Sequence, residues 1–285
     1  RLRTGLECLR NLPEVSLVAV PGQTQPEIQI GLIAHCEAMR YRFAILDSDS
    51  QNSSIAQVRL QRQQFDTKYA ALYYPWLTIP DPMPDNLANI GIFELPPSGH
   101  VLGLIARVDN ERGVHKAPAN EVVRGITGIT RILQKAEHEI LNPSPVNVNV
   151  IRDFRPDGRS IRLFGARCIT SDQEHKYVNV RRLLIFLEQS IERGLQWVVF
   201  EPNAEPLWAR VTQSVSNFLT DVWRAGALEG VEPSEGYFVK CDRTTMTQSE
   251  IDNGQLIVVI GVAPVKPAEF VIIRIGLSTR TAEAA

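Results

Sequence analysis

Near its C-terminus the chain carries two β-branched runs of strand length. One is Leu256-Ile257-Val258-Val259-Ile260; the other is Phe270-Val271-Ile272-Ile273-Arg274-Ile275. The segment between them holds Pro264 and Pro267. Proline has no N–H for a ladder and fixes φ, so this connection is not a two-residue hairpin turn. The first run is apolar at every position, the pattern of a strand buried on both faces. The second is nearly as apolar, and a short polar stretch, residues 278–285, follows it. An edge this apolar needs a partner, because an open row of backbone donors and acceptors invites aggregation. The strand either completes its own domain's sheet or leaves the body and adds to a sheet of another subunit, a β-augmentation. Pattern alone leaves both open.

The rest of the chain has the composition of an ordinary globular protein, with 44% hydrophobic and 22% charged residues over 285 positions. That length buries a sizeable core and suits two domains. A net charge of −2 gives no global basic field for nucleic acid or an anionic membrane. No apolar run approaches the roughly 20 residues of a membrane-spanning helix. Cys8, Cys36, Cys168 and Cys241 are scattered without a C-x-x-C pair. Reduced, buried thiols and synthesis in a cytoplasm are therefore expected. The chain opens at Arg1 without a signal peptide, and residues 1–6 read as mid-sequence, so an N-terminal part is expected to be missing.

Hydrophobic patterning predicts strands over residues 15–20, 41–46 and 68–74, with helices over 27–39 and 53–65 between them. The run Asp47-Ser48-Asp49-Ser50 is placed to cap the second helix. Alternating strands and helices point to an α/β unit with a parallel sheet. Ser98 is placed to cap a helix over 99–108. Ile129, Ile132, Leu133, Ala136 and Ile140 share one face of a further helix. Strands are expected over 146–151 and 161–169, around the turn Arg155-Pro156-Asp157-Gly158. From Tyr177 the texture changes. Val180, Leu183, Leu184, Leu187 and Ile191 line one amphipathic helix, and Leu207, Trp208, Val211, Val215, Phe218, Leu219 and Val222 line another. Strands are expected over 197–200 and 236–241. A boundary near residues 170–176 divides the chain into domains of 1–172 and 173–285.

Several stretches carry a resemblance. Pro264-Val265-Lys266-Pro267-Ala268-Glu269-Phe270 resembles the C-terminal signature of contractile tail sheath proteins, found in contractile-tailed phages and phage-like injection particles. Further blocks follow that family in order: Tyr69-Ala70-Ala71-Leu72-Tyr73-Tyr74-Pro75-Trp76, Arg112-Gly113-Val114-His115-Lys116-Ala117-Pro118-Ala119-Asn120, Phe164-Gly165-Ala166-Arg167, Tyr177-Val178-Asn179-Val180-Arg181-Arg182-Leu183 and Val199-Phe200-Glu201-Pro202-Asn203. The departures, at His115 and at Cys168 after Arg167, leave the architecture untouched.

The resemblance implies an α/β fold class. A subtilisin-like α/β domain without a catalytic triad would be followed by an α+β sheath C-terminal domain with terminal strands for inter-subunit sheet augmentation. It also implies a structural subunit that polymerises helically around an inner tube and contracts to drive the tube through a target envelope. The implied partners are further copies of the chain in stacked hexameric rings, the inner tube protein, baseplate and terminator or cap proteins, and sister sheath paralogues. Neither nucleic acid nor membrane insertion is implied. Assembly would take place in a bacterial cytoplasm, before incorporation into a phage tail or an extracellular particle. The inter-subunit residues would be Leu256, Ile257, Val258, Val259 and Ile260 with Phe270, Val271, Ile272, Ile273 and Ile275.

The subtilisin-like label demands a check for chemistry. A serine protease needs nucleophile, base and orienting carboxylate brought together. Asp47 follows a strand as the family's aspartate would, but without the usual glycine. His100 follows Ser98-Gly99 in the wrong order, and no Gly-Thr-Ser exists. Asp47 is therefore read as a cap or a solvated strand end, and the chain as no enzyme. The segment from Asp47 fails as a calcium loop, with Asn52 at the sixth position and Val58 at the twelfth. His35 beside Cys36 lacks further metal ligands, His138 sits beside glutamates on a surface helix, and no phosphate-cradling glycine motif appears. Trp208 and Trp223 read as core. No catalytic, metal or cofactor residue is assigned and no cofactor is expected. An active subtilisin-like hydrolase and a monomeric adaptor or binding module stand as the alternative readings.

Overall fold

The computed structural model describes residues 5–50, 54–82 and 91–269. In chain order its elements are β1 (Leu17–Val18), α1 (Pro26–Met39), β2 (Phe43–Asp47), α2 (Ile55–Arg62), β3 (Ala70–Tyr74), β4 (Leu77–Pro80), β5 (Ile92–Leu95), α3 (Ser98–Arg112), β6 (Glu121–Val122), β7 (Gly128–Ile129), α4 (Lys135–Leu141), β8 (Val148–Asp153) and β9 (Ile161–Leu163). The C-terminal part adds α5 (Val178–Gly194), α6 (Glu205–Arg224), α7 (Pro233–Gly236), β10 (Tyr237–Lys240), α8 (Gln248–Asp252) and β11 (Val259–Val262).

A six-stranded sheet in the order β1-β2-β3-β8-β9-β6 forms the centre. β1, β2, β3 and β8 run parallel, and β9 and β6 pair antiparallel beyond them. Every residue of β2 and β3 is buried, as expected of parallel strands covered on both faces. Alternate side chains go to opposite faces. Phe43, Ile45, Ala71, Tyr73 and Ile151 join one core cluster, which α3 covers with Val101, Leu104, Ile105 and Val108. Ala44, Leu46, Ala70, Leu72, Tyr74, Val148 and Val150 join the other, covered by Leu32, Ile33 and Cys36 of α1. The result is a mixed α/β body with helices on both faces of the sheet.

Local chemistry sets the ends of its helices. Pro26 opens α1, where a missing N–H costs nothing. Ser54 and Gln57 form a reciprocal capping box on α2, so the cap is Ser54 rather than residues 47–50. Ser98 is the first helical residue of α3, not its cap.

In the C-terminal part, α5 and α6 pack with β10 and β11 around Leu183, Leu187, Leu207, Trp208, Val211, Val215 and Leu219. α5 also ties the two parts together. Val178 enters the first core cluster. Asn179 donates to His115 O, Arg181 to Tyr69 Oη, and Arg182 forms a two-pronged pair with Asp109 at 2.9 and 2.6 Å.

Three expected elements are corrected. The face built from Ile129, Ile132, Leu133, Ala136 and Ile140 is not one helix. Gly128 and Ile129 form β7 on the edge of β4, α4 starts only at Lys135, and Ile132 and Ile140 are exposed. An available strand edge outcompeted the helical period there. Residues 197–200 form no strand. Gln196–Val198 is a 3-10 turn, and Phe200 has a φ of 69° and stands in solvent. The strand expected over 161–169 ends at Leu163, because the side chain of Asn149 takes over the backbone of Arg167.

Candidate functional site

The residues expected at a subunit interface fall into two groups. Phe270, Val271, Ile272, Ile273 and Ile275 lie outside the described residues. Leu256, Ile257, Val258, Val259 and Ile260 are described, and they are not the doubly buried strand that their uniform apolarity predicts. Leu256, Ile257 and Val258 rest against the third cluster before the strand begins. β11 itself spans Val259–Val262, and Val259 is 42% exposed. With one strand beside it and one helical layer beneath it, β11 has one covered face.

β11 pairs antiparallel with β10, with Tyr237 opposite Val262, Phe238 opposite Gly261, Val239 opposite Ile260 and Lys240 opposite Val259. Glycine at 261 leaves room for its partner, because a Cβ there would lie 2.1 Å from Cε1 of the half-exposed Phe238 ring, which would have to turn aside. Beyond β11, Ala263 N–H donates to Gly236 O, Glu229 N–H to Ala263 O, and Val265 N–H to Ala227 O. These bonds lie on one side of the chain. Since antiparallel residues alternate in the direction of their backbone groups, Ile260 and Val262 turn theirs to the opposite edge. Among the described residues no strand pairs with that edge.

Residues 265–269 then cross back to the central body over a cavity of about 550 Å³ whose walls include Lys116, His138, Phe164 and Tyr177. At its far end Glu269 meets Arg167. Nε bonds Oε1 at 2.8 Å, Nη2 bonds Oε2 at 2.5 Å, and Tyr177 Oη adds 3.0 Å to Oε2. Burial and then the adjoining Glu269 push the Tyr177 phenol up to about 12. Burial, with Arg152 second, pushes His138 down to about 4, so it is not the solvated surface histidine its glutamate neighbours suggest. Sequence reasoning missed this cluster. Arg167, Tyr177 and Glu269 each sit inside a recognisable block, but 102 residues separate the ion pair and no spacing announces it.

The reading of Asp47 is corrected as well. It is a cap, but of α3 rather than α2, and it is buried rather than solvated. Its carboxylate accepts Ser98 N–H and Ser98 Oγ–H, each at 2.8 Å, and Gly22 N–H at 3.0 Å. Burial raises its pKa in spite of the three donors. The Ser98 hydroxyl thus points at a carboxylate with no imidazole between them, which is not the relay a serine nucleophile uses. His35 faces the Arg42 guanidinium, and burial, then that positive charge, lowers its pKa. Asp172, Glu174 and His175 lie close together, but the Asp172 carboxylate is already engaged by Glu174 N–H and His175 Nδ1. Cys36, Cys168 and Cys241 are buried as expected; Cys8 is exposed. Trp208 is core, and Trp223 packs at its margin. No helix among the described residues is long and apolar enough to cross a membrane.

Comparison with known proteins agrees with this architecture. Residues 13–169 match the phage tail sheath protein central domain, and residues 170–278 match the phage tail sheath C-terminal domain. A prophage major tail sheath protein of Pseudomonas aeruginosa (strain UCBPP-PA14) is 26% identical over 94% of this chain. The chain spans 67% of that relative and 53% of the tail sheath protein of Escherichia phage P2. Among solved structures, the sheath complex of an extracellular contractile injection system in its contracted state superposes with a TM-score of 0.83 and 32% identity, covering 96% of this chain and 73% of that one. The contracted helical sheath of the anti-feeding prophage gives 0.79 and 32%, covering 95% and 72%. With both halves matched in sequence and the whole superposing on contractile sheaths, the chain belongs to the phage tail sheath family.

Proposed function

We infer that the chain is a structural subunit of a contractile sheath, which polymerises helically around an inner tube and is held to its neighbours by strand addition. The observation that carries this is the free edge of β11, where Ile260 and Val262 present backbone groups without a partner among the described residues. An unpaired edge on a two-stranded ribbon is a docking template. The same chain supplies a strand-forming segment, residues 270–275, shortly after it. A five-residue strand adds about half a dozen backbone hydrogen bonds, each worth roughly 0.5–1.5 kcal/mol net. Each well-buried Phe, Val or Ile adds about 1.5–3 kcal/mol. Such a tether outlasts sliding of the bodies past one another.

In this reading residues 1–172 form a body of subtilisin-like topology, supported by four parallel strands with helices on both faces. Residues 173–285 form the linking domain. The subunit acts mechanically, without catalysis. Its partners are further copies, an inner tube protein, and baseplate and terminal proteins, in a particle assembled in a bacterial cytoplasm. Electron microscopy of the full-length protein, expressed with and without its tube partner, tests this. Striated tubes or cogwheel rings are expected, and a monodisperse monomer under every condition overturns it.

A further inference from the structure

Residues 265–269 behave as a strap. Val265, Lys266 and Ala268 are exposed, and the space beneath them is the 550 Å³ cavity, so packing does not hold the segment down. It is held at its two ends. One is the single backbone bond from Val265 N–H to Ala227 O. The other is the ion pair of Glu269 with Arg167.

The second end is much the stronger. The Arg167 side chain is only 5% exposed and Glu269 18%, and a forked guanidinium meeting both carboxylate oxygens is the most directional pair that side chains make. Arg167 gives its remaining bond to a neutral amide oxygen, Asn147 Oδ1, at 3.1 Å. Among the described residues Glu269 is the carboxylate that balances it. The backbone of Arg167 is in turn stapled to the central sheet. Asn149, wholly buried on β8, accepts Arg167 N–H at 2.6 Å and donates to Arg167 O at 2.8 Å, imitating a ladder step. β8 pairs with β3 on one side and β9 on the other. A continuous set of bonds therefore runs from Glu269 through Arg167 and Asn149 into the six-stranded sheet without passing through β10 or β11.

We propose that Arg167, Tyr177 and Glu269 form an anchor that fixes the exit of the terminal segment on the central body, so that a pull on that segment is borne by the six-stranded sheet and bypasses the β10–β11 ribbon. The purpose of such a pull rests on the tether reading above; the anchor itself is a property of the single chain. Without it, force entering past residue 269 falls first on the Val265 bond and then on a ribbon of four residue pairs, which opens one bond at a time. With it, those bonds stay unloaded and the free edge of β11 keeps its shape while the subunit is under tension.

The test is single-molecule pulling of the full chain as a monomer, with handles at its first and last residues. In the wild type the first event is expected to be opening of the central body. In Glu269→Gln, which keeps shape and removes the charge, an earlier low-force step of about 4 nm is expected, as some 11 residues from Val259 to position 269 peel away at roughly 3.5 Å each. If Glu269→Gln does not fold, Tyr177→Phe removes one bond of the anchor and is expected to show the same early step, at a force below that of the wild type's first event. Identical traces for wild type and variant, or the early step already present in the wild type, overturn the anchor. The measurement needs no polymer, so failure of the chain to form tubes would refute the sheath reading and leave this result standing.

Discussion

Asp47 sets two large effects against each other, and its pH dependence decides between them. Three donors converge on its carboxylate, from Gly22, from Ser98 N–H and from Ser98 Oγ–H. Bonds to a charged group contribute about 1.5–3 kcal/mol each, and removing a buried ion from water costs several kcal/mol. The burial cost prevails, since the pKa lies above its ordinary 3.8. As pH rises past 3.8, the unfolded chain releases this proton first, so the folded state binds more protons and stability falls until the raised folded value is passed. Asp47→Asn removes the titration and keeps one acceptor, at a loss of about 1–2 kcal/mol for the donor left without a partner. The wild-type advantage over Asp47→Asn, read from urea denaturation between pH 4 and pH 7, should therefore shrink as pH rises. Asp47→Ala leaves both N–H groups bare and should cost about 2–5 kcal/mol, a fall in Tm of about 5–15 °C. A wild-type advantage that grows with pH would falsify the reasoning, because it would mean that the donors outweigh burial.

His138 should titrate near 4 rather than 6.5. Its unfolded form takes up a proton first as pH falls through that window, so stability falls with it. His138→Gln should flatten this slope, and a midpoint near 6.5 in an NMR titration would refute it. Leu219, wholly buried between α6 and the ribbon, should lose about 2–5 kcal/mol on truncation to Ala, read as a shift in the denaturation midpoint. Ile272→Asp should abolish polymerisation in electron micrographs while leaving the monomer's circular dichroism unchanged; normal tubes from this variant would sink the tether.

What the sequence made legible was whatever the local pattern decides alone. β2 and β3 read as strands because both faces are covered and no position could be polar without cost. α5 and α6 read as helices because one stripe of each meets a core. The failures came where a distant partner overrode the pattern. Ile129 was claimed by the edge of β4, and the backbone of Arg167 by the side chain of Asn149. Leu256, Ile257 and Val258 are as apolar as a buried strand, yet they pack as an approach to β11, since a two-stranded ribbon has no second layer to bury them. Asp47 was visible as a strand-end carboxylate, but its partner Ser98 lies 51 residues away, so the helix it caps was read wrongly.

The arrangement of the two parts follows from one requirement. A subunit in an open helical assembly must offer two different patches, each satisfied by another copy, or the chain of contacts closes on itself. In the proposed assembly the free edge of β11 is one patch and the terminal segment the other. Only residues 263–268 separate the end of β11 from Glu269, and the anchor at Arg167 turns that strap away from the ribbon onto the central body. A tail leaving from β11 itself would be well placed to fold back along Ile260 and Val262 and close a monomer. A tail leaving from Arg167 starts instead from the central body, beside the cavity. In the proposed assembly the ion pair of Arg167 with Glu269 would bias the terminal segment toward a neighbour, and it does so with residues that the uniform apolarity of the terminal runs gives no hint of.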